Sequence, residues 1–168
     1  MKNFFTNKKK IINNSGFSLV EVLIASAIIS LTAIALMSAA TKGIELSSRA
    51  LRQVQASQLI EEGVEAVKSI RDTNWDTISA LTANIDYYLS FDTNTNTWSL
   101  GTIEVDKIDG IFTRIVVFND VNRDVNDDIR ETGTLDVGTK KANVIVIWPA
   151  SGGINSKNLN FYLANIFN

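Results

Sequence analysis

The sequence predicts an α+β fold in which a long N-terminal helix lays its C-terminal half on a small antiparallel β-sheet. Three observations carry this expectation. The 24 residues from Phe17 to Ala40 contain Glu21 as their only charge; helical apolar spacing then continues without proline to about Asp72; and short branched or aromatic runs follow, punctuated by Asn, Asp, Thr and Gly. At 168 residues the chain holds one ordinary domain with an appendage.

Residues 1–16 carry Lys2, Lys8, Lys9 and Lys10, no acid and no apolar period, and read as a short basic leader. As a helix, residues 17–40 extend about 36 Å at 1.5 Å per residue, enough to cross a hydrocarbon layer of roughly 30 Å. Lysines before this span predict a cytoplasmic N-terminus and a remainder outside. Residues 41–72 continue the helix with Ile44, Leu51, Val54, Leu59, Ile60, Val64, Val67 and Ile70, and apolar density rises beyond Leu59. Gly43 and Gly63 each cost about 1 kcal/mol relative to Ala in a helix interior and are candidate bends.

Residues 73–168 form a β-rich head. Its strand candidates are 87–91, 97–101, 111–118, 142–148 and 158–167, with Pro149 placed to stop the fourth. Ile111, Ile115 and Val117 are expected on the same face as Val144, Val146 and Trp148, and the stripe from Leu59 to Ile70 is the natural cover for that face.

Composition narrows the chemistry. The chain has no His and no Cys, which removes imidazole and thiolate ligands, disulfides, and Cys or His nucleophile and base pairs. Without residues 1–16 it carries 12 basic against 18 acidic side chains, a net charge of −6, which speaks against nucleic acid as a partner. Lys140 and Lys141 read as edge protection before a strand, and Trp75, Trp98 and Trp148 as core or interface aromatics.

The order of parts, with "GFSLVEVLIA" at residues 16–25 between a basic leader and a long apolar helix, resembles type IV pilin-like proteins. The resemblance implies a prepilin peptidase that cuts between Gly16 and Phe17 and N-methylates the new Phe17 amine. It also implies a membrane-held chain that joins other pilin or pseudopilin subunits in an extracytoplasmic filament, with no catalysis of its own. Glu21 is then the family's buried acid. The physics of these positions agrees: Gly16 presents no side chain to a protease groove, and a carboxylate in a dry helix bundle needs a positive partner. A neighbour's Phe17 ammonium, created by the cut, is such a partner. The missing Cys, and the absence of Pro and Gly between Phe17 and Ala40, favour a minor pilin or pseudopilin.

One further constellation stands in the head. Asp120, Asn122, Asp124, Asn126, Asp128 and Glu131 have the 1, 3, 5, 7, 9, 12 spacing of an EF-hand calcium loop. Val125 occupies the position that needs glycine, and strand-like runs flank the loop. A solvated hairpin of turn formers and a calcium loop of another type are the two readings. Two other functions fit parts of the sequence. One is a conventionally exported calcium-binding or carboxylate-based hydrolytic domain cut near Ala40, and the other is a DNA-uptake pilin.

Overall fold

The computed structural model describes residues 16–166, so the basic leader lies outside the described residues except for Gly16. The chain divides into two compact units, Met1–Ser47 and Ser48–Asn168. A single helix, α1 (Leu19–Thr73), supplies the described secondary structure of the first unit and opens the second. Neither Gly43 nor Gly63 interrupts it.

In the second unit α1 is followed by α2 (Trp75–Ser79), capped by Asn74, whose Oδ1 accepts the Asp76 amide at 2.9 Å. Six strands then form one antiparallel sheet: β1 (Asp86–Asp92), β2 (Thr97–Gly101), β3 (Thr113–Arg123), β4 (Ile129–Arg130), β5 (Thr134–Ala150) and β6 (Gly153–Ala164). The order is β2-β1-β3-β5-β6, with the short β4 paired to β3. This is the helix-on-sheet α+β architecture that the sequence predicts.

The core lies between α1 and one face of the sheet. Ile60, Val64, Val67 and Ile70 recur at helical spacing and are buried, as are Val116 and Phe118 of β3 and Val144 and Val146 of β5. Tyr87 meets Phe118 edge to face at 5.9 Å. Gly63 sits at a close approach of helix to sheet: a Cβ there would stand 2.9 Å from Val144 Cγ1 and 3.0 Å from Arg114 Cδ. Its lack of a side chain lets the helix settle on the sheet, which offsets its low helix propensity.

Two expectations are corrected. The core face of β3 is the even-numbered one, since Val116 pairs with Val144 and Phe118 with Ala142, while Ile115 pairs with Ile145 on the opposite face. The side chains alternate, so pairing register alone decides which set is buried. Pro149 does not end β5, which runs on to Ala150 and pairs Pro149 with Ile154. The last partner of β5 on β3 is Thr113, opposite Ile147. Pro149 lies beyond that point, so its missing N–H deprives β3 of nothing.

The even-numbered face of β3 also brings Arg114 into the core, 6% exposed. Its Nη1 donates to the Leu59 carbonyl at 3.1 Å and lies 3.3 Å from Glu62 Oε2, and its guanidinium stacks 5.3 Å from the Trp98 ring. A buried cation without such partners is strongly destabilising.

Candidate functional site

The N-terminal segment is organised around the start of α1. Gly16, Phe17 and Ser18 are outside the helix, Phe17 is 86% exposed, and none of the described residues lies within 4 Å of the position a Gly16 Cβ would occupy. The Gly16–Phe17 bond is therefore accessible and non-helical, the state a protease groove requires.

Ser18 begins the helix by accepting the Val22 amide at 3.1 Å. Its own N–H donates to Glu21 Oε2 at 3.2 Å. This is the reach-back half of a capping box, in which the N3 glutamate satisfies the amide of the N-cap residue. The S-x-x-E pattern is plain in "SLVE", and it adds Ser18 to the residues that matter here. A carboxylate in this first turn is also stabilised by the positive end of the helix dipole. Glu21 thus has a favourable position within its own chain before any neighbour is considered.

Beyond Glu21 the helix is apolar, with a mean hydropathy of 2.4 over its most apolar 18 residues and none of that window buried. Three of its hydroxyls bond within the helix: Ser26 donates to the Leu23 carbonyl, Ser30 to Ser26 and Thr32 to Ile29, at 2.8 to 2.9 Å. A helix that closes its own polar groups meets the main condition for a hydrocarbon environment.

The 120–131 segment comprises the end of β3, a hairpin turn at residues 124–128 and the short β4. The Asp124 amide donates to the Asp128 carbonyl at 2.9 Å, and the Asp124 carboxylate accepts the amides of Asn126 at 2.8 Å and Asp128 at 3.1 Å. These bonds hold its carboxyl below the usual value of 3.8. The left-handed residue is Asp127, at φ 67°, and the Val125 side chain is fully exposed. The remaining candidates point to separate partners. Asp120 pairs with Lys140 at 2.6 Å, Asn122 donates to the Glu131 carbonyl, and Asp128 lies 3.7 Å from Arg130, which also donates to Asp124 at 3.2 Å. Among the described residues no group of three or more acidic side chains converges as a metal site.

The family model of the prokaryotic N-terminal methylation motif matches residues 12–37. No curated protein and no solved structure matches the chain. The matched motif, followed by one long apolar helix, fits a type IV pilin-like protein anchored in a membrane. It indicates a structural protein of the pilin or pseudopilin type, and implies processing by prepilin peptidase and assembly with other pilin subunits.

Proposed function

We propose that the chain is a minor pilin or pseudopilin, a structural subunit of a type IV pilus or type II secretion-like filament. The observation that carries this reading is the methylation motif at residues 12–37, set at the start of a 55-residue helix. Hydrolysis of the Gly16–Phe17 bond leaves a carboxylate on Gly16 and an ammonium on Phe17, and discards the four lysines that hold the leader in the cytoplasm. N-methylation of the Phe17 amine leaves it protonated and positively charged at neutral pH.

In the bilayer Glu21 lies two residues, about 3 Å, past the start of the helix at Leu19, near the headgroups, where it costs less than the roughly 2.5 to 3.5 kcal/mol of a charge at mid-membrane. Packed among other helices it loses that water. The Phe17 ammonium of an adjoining subunit then supplies the counter-charge, and the pair fixes the register between subunits. The capping bond to Ser18 supports this sequence of events, because it gives the carboxylate a partner while the subunit waits in the membrane. The head faces outward on the filament surface.

The test is Glu21→Ala in the full chain, produced with its peptidase and partner subunits. Membrane insertion and cleavage should be nearly unchanged, while incorporation into filaments falls by at least about tenfold, since a buried ammonium is left unpaired. A variant that assembles as well as the wild type would rule out the charge pair.

A further inference from the structure

The head's sheet has two free edges of opposite charge. At one end, residues 86–109 of β1, β2 and the loop that follows contain Asp86, Asp92, Glu104, Asp106 and Asp109 against Lys107 alone, all exposed, for a net charge of −4. At the other end, residues 139–166 of β5 and β6 contain Lys140, Lys141 and Lys157 and no acid at all. Lys140 is spent on Asp120, which leaves Lys157 on the edge strand and Lys141 one strand in from it to make this end positive.

The positive edge is built to accept a strand. β6 pairs with β5 without a register shift over its whole length, from Gly153 opposite Ala150 to Ala164 opposite Thr139, and no strand among the described residues pairs with its other side. The Asn165 amide donates to the Gly138 carbonyl at 2.8 Å. By strand alternation, odd-numbered residues of β6 turn their amides toward β5, and the even-numbered Ile154, Ser156, Asn158, Asn160 and Tyr162 turn theirs to the open edge.

The usual guards of such an edge are missing. β6 has no proline and no bulge, and the Nζ of its one lysine, Lys157, is held at 2.6 Å by the Ser57 hydroxyl of α1. Ile154 and Tyr162 are exposed beside the open amides. The opposite edge, β2, is short and likewise pairs on one side only, with β1.

We propose that the β6 edge of one copy receives the β2 edge of a second copy, so that the acidic end of one sheet meets the basic end of the next. The two surfaces differ, which makes the contact heterologous. Such a contact repeats from copy to copy without using itself up, and so generates an open row and not a closed dimer. The inference rests on the filament reading above, and adds to it a head-to-head contact independent of Glu21.

The test uses the absence of native cysteine. Two forms of the full chain are co-produced with the peptidase, a tagged one carrying Ser99→Cys on β2 and an untagged one carrying Asn160→Cys on β6, and are treated in the membrane with a short bismaleimide. The expected product is a heterodimer, with like pairs much weaker. Adding Asn158→Pro to the β6 form should cut its yield about fivefold, because one outward amide is lost while the bonds to β5 are kept. A separate pair of chains carrying Ala33→Cys in the apolar helix reports association through α1. Crosslinking at Ala33 without the β2–β6 heterodimer overturns the edge contact and spares the filament reading, and so does a dominant Asn160–Asn160 product. A heterodimer insensitive to Asn158→Pro also overturns strand pairing. Loss of crosslinking at both sites removes the filament reading and this contact together.

Discussion

The two stretches of α1 use apolar residues in opposite ways. In the first, Ile28 and its neighbours are exposed all round the helix; in the second, Ile60, Val64, Val67 and Ile70 form one buried stripe. The glycines mark the same difference. Gly43 has nothing within 4 Å of a would-be Cβ, whereas Gly63 has Val144 and Arg114 in near contact. Apolar content therefore does not say what a helix packs on. Its distribution round the helix does, and an all-round apolar surface needs a partner from outside the chain, either lipid or other helices.

Substitutions at matched positions sharpen this contrast. Ile60→Ala removes a core side chain that is 4% exposed and should destabilise the head by about 2 to 5 kcal/mol in denaturant unfolding of the detergent-solubilised chain. Ile28→Ala, in the exposed stretch, should stay within about 0.5 kcal/mol in the same assay. Equal losses at the two positions would break the comparison.

The glycines should respond with opposite sign. Gly43→Ala adds helix propensity in open space and should raise helix stability by about 1 kcal/mol. Gly63→Ala gains the same propensity, but it overpacks against Val144 at a cost of about 1 to 3 kcal/mol and should be neutral to destabilising in thermal unfolding. Gly63→Leu should be clearly worse.

The smallest effect is a pH dependence confined to the β3–β4 turn and the neighbouring start of β5. Asp136 is held below 3.8 mainly by its hydrogen bond from Arg123, and Asp124 mainly by the Asn126 amide. A lowered native pKa contributes stability above the unfolded value and loses it as pH falls through the lowered one. Protection of the Asn126 and Asp128 amides should therefore be steady at neutral pH and decline below about pH 4. A decline centred near neutrality would contradict these bonds.

Much of this was legible in the sequence, for reasons that can be named. The helix start is legible in "GFSLVE" because the S-x-x-E spacing is a local capping signal, and the Leu59–Ile70 stripe because helical periodicity needs only one chain segment to be seen. Register was not legible. "IFTRIVVF" is apolar on both parities, and a charged Arg114 on the even-numbered face gives no sign that this face is the buried one. Only the Leu59 carbonyl, Glu62 and Trp98, distant in sequence, make that arginine tolerable in the core. The 120–131 spacing leaves two readings open for another reason, because turn formers and oxygen ligands are the same residues. What separates the two readings is where each carboxylate points.

The central claim, that residues 1–16 are removed to expose a charged Phe17 terminus, is tested most directly by the intact mass and N-terminal sequence of the mature chain from its native membrane. The account predicts a chain that starts at N-methylated Phe17. A chain starting at Thr41, or one that retains Met1, would contradict it.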